Sequence, residues 1–247
     1  MELCVFEDAT YSNFAPLTYL RPTFLLRCGI FTLAERIAHT FSDYNISYLC
    51  RPYLNPTLRE RQMRMLSPFE ITPEVTVLFI NGALLDTYAV RDELSHIDAE
   101  NWMLVSAGRL VAAKLSGERA QEAAYYLLEQ NTRELMERLA GQVEFEEFST
   151  LAATYLWDLI HHNGEILKKD FASLKKSGVE GNVDSRAVLY NEGDIFVGKG
   201  AQVDALSVLD ARDGPVYIAE GVKIQPYTYV QGPTFIGAKT YLVGGQT

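Results

Sequence analysis

The stretch Ile218-Ala219-Glu220-Gly221-Val222-Lys223-Ile224-Gln225-Pro226-Tyr227-Thr228-Tyr229-Val230-Gln231-Gly232-Pro233-Thr234-Phe235-Ile236-Gly237-Ala238-Lys239-Thr240-Tyr241-Leu242 repeats itself every six residues. Ile218, Ile224, Val230, Ile236 and Leu242 form one column at that step, and Val222, Thr228, Thr234 and Thr240 form a second, four residues behind the first. Upstream, Val197, Val203 and Leu209 keep the same step, with Ala201 and Ser207 in the small-residue column. Val183 and Leu189 begin the array, with Ala187 and Gly193 following at four. The frame slips by two near Ile195 and by three within 210–217, and both slips read as loops. A step of six is neither the helical period nor the simple alternation of a strand. It implies short extended segments turned sharply into one another, each with one large aliphatic side chain facing a prism-shaped interior. The second inward residue is small because it stands near a corner. Stacked coils then share one continuous core.

This pattern resembles the hexapeptide repeat of the left-handed parallel β-helix. The array holds about three coils and stops inside a hexad, with no capping helix after Gly244-Gly245-Gln246-Thr247. An uncapped solenoid exposes apolar interior and unpaired edges. The expectation is that the chain is part of a longer protein or that another subunit covers the end.

Residues 1–180 follow other periods and are expected to form a separate α/β domain, with the repeats occupying 181–247. Glu2–Phe6 is an apolar strand. Ile30, Leu33, Ala34, Ile37, Ala38 and Phe41 obey helical spacing, which predicts an amphipathic helix over 30–41. Further strands are expected at 46–50, 75–80, 103–106, 110–113 and 143–148. A long helix is expected over 118–139, stopped by Gly141, and a second over 155–174, interrupted near Asn163-Gly164. Strands and helices that alternate in this way predict a layered fold around a largely parallel sheet. Ligands of such sheets bind at the carboxyl ends of strands. The loops after Phe6, Ile80 and Ser106 are therefore where chemistry is expected.

Composition narrows the function. The chain has 247 residues, 48% of them hydrophobic and 22% charged, as a globular protein requires. No apolar run approaches the length of a membrane span, and the acidic N-terminus is no secretory signal. The net charge of -10 argues against nucleic acid as a partner. Cys4, Cys28 and Cys50 lie in apolar settings without a C-x-x-C pair, so buried thiols in a reducing cytoplasm are expected. His161 and His162 are adjacent and would point about 100° apart on a helix, which disfavours a zinc site.

The first loop, from Glu7-Asp8 to Arg21-Pro22, offers acids that could hold a divalent cation or a ribose hydroxyl. Arg21 and Arg27 follow, and a guanidinium fork suits phosphate. Asn81-Gly82 is either a turn or a place where backbone approaches a ligand.

The segment Pro16-Leu17-Thr18-Tyr19-Leu20-Arg21-Pro22-Thr23-Phe24-Leu25-Leu26-Arg27-Cys28-Gly29 resembles the early segment of sugar-1-phosphate nucleotidyltransferases. Phe79–Leu85 resembles their third-strand motif. A transferase domain followed by hexapeptide repeats is also the arrangement of the bifunctional N-acetylglucosamine-1-phosphate uridylyltransferase and glucosamine-1-phosphate acetyltransferase. A divergent, mostly bacterial group is more similar still, with segments like Trp157-Asp158-Leu159-Ile160 and Asn163-Gly164-Glu165. The resemblance implies a Rossmann-like nucleotidyltransferase domain, an NTP and a sugar 1-phosphate as substrates, Mg2+ as cofactor, and a homotrimer through the β-helix. Within that reading Arg21 and Arg27 are the expected phosphate contacts, and Asp8 is the foremost metal-ligand candidate beside Glu7 and Asp86. Asn81 and Gly82 would line the base or sugar pocket, and Asp158 and Asn163, where a helix breaks, could reach the sugar.

This sequence departs from the family pattern in three places. Residues 7–15 contain no glycine, Thr23 stands where a lysine is expected, and Ala83 stands where a metal-binding acid is expected. Those departures keep open a non-catalytic sugar-nucleotide-binding protein or scaffold. Acyl transfer by the repeats is a third reading. It is weakened by the absence of any histidine after His162.

Overall fold

The computed structural model describes residues 2–244, so the expected uncapped end at 245–247 lies outside the described residues. The described residues form two compact units, one of residues 2–27 and 31–160, the other of residues 28–30 and 161–244.

The first unit is a mixed α/β layer with a Rossmann-like core. Its strands are β1 (Glu2–Phe6), β2 (Asn45–Leu49), β3 (Thr76–Asn81), β4 (Trp102–Ser106), β5 (Arg109–Ser116) and β6 (Glu144–Glu147). They lie in the order β2-β1-β3-β5-β4-β6. The pairs β1–β2, β1–β3 and β4–β6 are parallel, whereas β5 runs antiparallel to both of its neighbours. The short turn at Ala107-Gly108 explains that reversal, because two residues can close a hairpin but not a parallel crossover. Leu3, Cys4, Val5 and Phe6 are all buried, so β1 is covered on both faces. One face packs against Ala120, Ala123, Ala124, Leu127, Leu135 and Leu139. Each fully buried large side chain in this core contributes roughly 1.5–3 kcal/mol.

The helices follow capping chemistry more closely than composition. α1 (Leu33–Thr40) starts three residues later than hydrophobic spacing predicts. Thr32 caps it and Glu35 returns the bond to the Thr32 N–H, so the helix cannot begin earlier. α2 (Asn55–Glu60) and α3 (Thr87–Leu94) lack a long apolar stripe and escaped the sequence reading. The helix expected over 118–139 is two, α4 (Gly117–Leu128) and α5 (Thr132–Leu139). Gln130 takes a left-handed conformation and Asn131 caps α5, accepting the Glu134 N–H. The stretch 155–174 likewise divides into α6 (Asp158–His161) and α7 (Asn163–Leu174).

The second unit carries α7 and eleven short strands among the described residues, β7 (Gly178–Val179) to β17 (Tyr241–Leu242). All pair in parallel, in three stacks ordered β16-β13-β10-β7, β17-β14-β11-β8 and β15-β12-β9. Successive strands visit the three stacks in turn. Ile218 lies beside Ile236 and Ile224 beside Leu242, eighteen residues apart. Val197 lies beside Ile218 and Leu209 beside Val230, twenty-one apart. Val183 lies beside Val203 and Leu189 beside Leu209, twenty apart. The two frame slips are therefore coils lengthened by three and by two residues, while the large aliphatic column stays in register. Ile195, Val197, Val203, Leu209, Ile218, Ile224, Val230 and Ile236 form the buried core of this unit. The arrangement is compatible with a β-helix.

Candidate active site

The carboxyl edge of the first unit's sheet is where β1, β2 and β3 end and the β4–β5 hairpin turns back. Glu7 and Asp8 follow β1, Arg51 follows β2 by two residues, Asn81 closes β3, and Arg109 opens β5. Strand geometry alone therefore converges two acids, two arginines and an amide.

The acids and arginines pair. Arg51 Nε donates to Glu7 Oε2 at 2.8 Å, and Arg51 Nη2 donates to Glu7 Oε1 at 3.2 Å. Both side chains are buried, and the Glu7 carboxylate has no exposed surface. Arg51 Nη2 also donates to the carbonyls of Thr18 (2.8 Å) and Arg21 (3.2 Å). Its guanidinium lies 4.0 Å from the centre of the Tyr11 ring. One arginine thus pins three points of the loop that follows β1.

Arg109 does the same for the other acid. Its Nε donates to Asp8 Oδ2 at 2.6 Å and its Nη2 to Asp8 Oδ1 at 3.2 Å. Nη2 reaches Thr10 Oγ1 and Nη1 reaches the Ala153 carbonyl, both at 2.8 Å. Asp8 accepts further bonds from the Thr10 N–H and hydroxyl and from Asn81 Nδ2. Burial pushes the Asp8 carboxyl up, but the Arg109 charge and the bonds from Arg109, Thr10 and Asn81 outweigh it and hold the group below the ordinary 3.8. Asp8 also caps the short 3-10 turn over Ala9–Phe14. A capped turn of that kind makes a rigid corner where a glycine-rich loop would be mobile.

The donor set does not fit Mg2+. A carboxylate has about four lone-pair directions, and Asp8 already meets five donors, two of them on a cation. Among the described residues no three His, Cys, Asp or Glu side chains converge as a metal site. Thr23, where the related lysine would stand, is buried and donates its N–H (2.7 Å) and hydroxyl (3.2 Å) to Glu7 Oε1. Ala83, where the related acid would stand, is buried and donates its N–H to Asn81 Oδ1.

The residues singled out from sequence fall into four places. Asp8 and Asn81 touch at the carboxyl edge, where Asn81 Nδ2 also donates to the Leu110 carbonyl. Gly82 follows them, and an added Cβ would lie 2.9 Å from two atoms of Phe24 and 3.0 Å from the Phe6 carbonyl oxygen. Asn81 and Gly82 are thus buried beneath the chain's own first loop. Arg21 is tied to the same edge through its carbonyl, while its guanidinium is exposed and has no partner among the described residues. Asp158 Oδ2 accepts the N–H groups of Thr154 (2.8 Å) and Tyr155 (2.9 Å) and so closes the turn before α6. Arg27 forms a solvent-exposed pair with Glu35 at 3.5 Å, beside the cap of α1. Asn163 belongs to the second unit, where its Oδ1 accepts the Gly29 N–H at 2.7 Å.

Sequence reading missed Arg51 and Arg109 as members of this cluster. The available signal was positional, since each follows closely on the end of an expected strand. The Gly82 contact gives a direct expectation. Gly82→Ala should displace the buried Phe24 ring and cost about 1–3 kcal/mol, as overpacking does. Calorimetry should record a lower Tm. An unchanged Tm would show that the ring yields freely.

A family model described as sugar nucleotidyl transferase matches residues 3–178. No curated protein matches the chain. Among solved structures the chain is similar to a Bacillus anthracis protein described as a candidate glucose-1-phosphate thymidylyltransferase, in complex with a sucrose. The identity is 10%, the match covers 68% of this chain and 95% of that one, and the TM-score is 0.43. A likeness that loose carries no weight for substrate or fold.

Proposed function

The chain belongs to the sugar nucleotidyl transferase family, and from that premise we propose that it transfers a nucleotidyl group from an NTP to a sugar 1-phosphate. A phosphate oxygen of the sugar 1-phosphate attacks the α-phosphorus, the bond to the β-phosphate breaks, and pyrophosphate leaves. The attacking oxygen is already anionic, so no strong general base is needed. The work is to position two anions that repel each other and to stabilise charge on the α-phosphate.

The observation that supports this reading most is Arg21. Its carbonyl is held at the carboxyl edge by the buried Arg51, while its side chain is exposed and has no partner among the described residues. An unpaired guanidinium fork on a fixed stretch of backbone suits phosphate. Arg27 is the second cation of the same loop and would take phosphate in exchange for Glu35. Mg2+ is common in the family, but Asp8 is filled by donors, so the cationic role is assigned to arginine. Asn81 and Gly82 are buried and are carried as substrate contacts on resemblance alone, and Asp158 shapes the neighbouring turn. Asn163 is carried as a sugar contact on resemblance alone.

Pyrophosphate release from a panel of NTPs with hexose 1-phosphates tests the reading. Arg21→Ala should lower kcat/KM by roughly 2–3 kcal/mol of transition-state stabilisation. Unchanged turnover in that variant would remove the role. A second reading is favoured by the same packing that excludes the metal: a sugar-nucleotide-binding protein without turnover. Binding without pyrophosphate release would select it.

The transferase function is assigned to 1–180. The parallel stacks of the repeats support a β-helix over 181–247, its left hand and its assembly into a homotrimer are carried on resemblance alone, and the three buried thiols agree with a cytoplasmic setting.

A further inference from the structure

We propose that Tyr155 and Trp157 form a stacking platform for the base of the nucleotide, an inference that rests on the transferase reading and adds a subsite to it. Their rings are parallel to within 9°, with centroids 4.7 Å apart. Tyr155 is 44% exposed and Trp157 53% exposed. Two large rings stacked in this way and left half in water forgo burial that such side chains normally gain. Their exposure leaves ring surface in water that a third flat ring could cover.

The platform is built into the candidate site. Arg109, which holds Asp8, also holds the Ala153 carbonyl, two residues before Tyr155. The Ala153 N–H donates to the Ala83 carbonyl at 2.8 Å, one residue beyond Gly82. Asn13 Nδ2 donates to the Thr154 carbonyl at 3.0 Å. Asp158 closes the turn from the other side through the N–H groups of Thr154 and Tyr155. The aromatic pair is therefore carried on a turn fixed to the end of β3 and to the loop after β1.

The chemistry favours a base over a pyranose ring. A sugar needs several convergent polar groups for its hydroxyls, and the polar side chains beside the rings, Asn13 and Asp158, are engaged with the backbone of the turn. A nucleobase needs only a flat apolar face. Stacking tolerates base identity and strengthens with ring size, so purine nucleotides should bind more tightly than pyrimidine nucleotides.

The chain has two tryptophans, and the other, Trp102, is 2% exposed on β4. Titration of ATP into the full chain should quench the emission of the exposed tryptophan, and UTP should quench it less. Trp157→Leu should abolish the response and weaken ATP binding by about tenfold, the worth of one stacked base. Trp157→Phe should retain most of that affinity. Inorganic tripolyphosphate, which has no base, should bind wild type and Trp157→Leu equally. A thermal melt confirms that the variants fold. ATP quenching that persists in Trp157→Leu, no ATP-dependent change at all, or quenching by glucose 1-phosphate but not ATP each overturns the platform. Quenching through Trp157 without pyrophosphate release supports the platform and removes the catalytic reading, so the two fail separately.

Discussion

Replacing Arg51 by methionine is expected to lower the unfolding free energy by about 3–5 kcal/mol, the cost of stranding a buried charge. The Glu7 carboxylate has no exposed surface, and Arg51 supplies two of its four donors and its only counter-charge among the described residues. Urea unfolding of Arg51→Met, Glu7→Gln and the double variant checks the claim. The double variant should recover most of the loss, because no unpaired charge remains in the core. Activity should not recover with it. Arg51 also holds the carbonyls of Thr18 and Arg21, and methionine has no donor for them. A double variant as unstable as Arg51→Met would show that the loss comes from loop contacts and not from the charge.

That pair also shows where sequence reading stops. The period of six was legible because one column of aliphatic side chains must face one interior, and the slips near Ile195 and 210–217 left that column intact. The sheet was legible because its strands are apolar runs of ordinary length. The ends of those strands pointed to Asp8 and Asn81, which meet at 2.8 Å. What closes the site was hidden by distance along the chain. Asp8 finds Arg109 across 101 positions and Glu7 finds Arg51 across 44, and no local pattern records either partner. Thr23 was legible only as a departure, and its structural role is a short bond to Glu7. The break at Gln130 was missed for another reason. Ala, Leu and Glu favour helix on both sides of it, and the cap formed by Asn131 outweighs that preference only in the folded chain.

Replacing Arg109 by alanine is expected to destabilise the protein by about 3 kcal/mol at neutral pH and by much less in acid. In the wild type the Asp8 carboxyl is held below 3.8. Its contribution is therefore complete above 3.8 and is lost as pH falls through the lowered folded value. In Arg109→Ala the burial that already pushes this carboxyl up is no longer opposed by the guanidinium. Burial is the largest single influence on this group, so the folded value is expected to rise above the unfolded one although Thr10 and Asn81 still lower it. Stability of the variant is greatest below the unfolded value and declines as pH rises through the raised folded value. The gap between the two proteins should thus widen from acid to neutral pH and then level off. Urea midpoints at about pH 3 and about pH 7.5 fall on either side of the unfolded value and read that gap. Asp8→Asn combined with Arg109→Ala should remove its pH dependence, because the neutral amide cannot titrate. Added Mg2+ should leave the wild-type midpoint unmoved, since the Asp8 oxygens are already filled. A pH-independent gap would instead assign the role of Arg109 to its bonds with Thr10 and the Ala153 carbonyl, and Asp8 would lose its place as the anchor of the carboxyl edge.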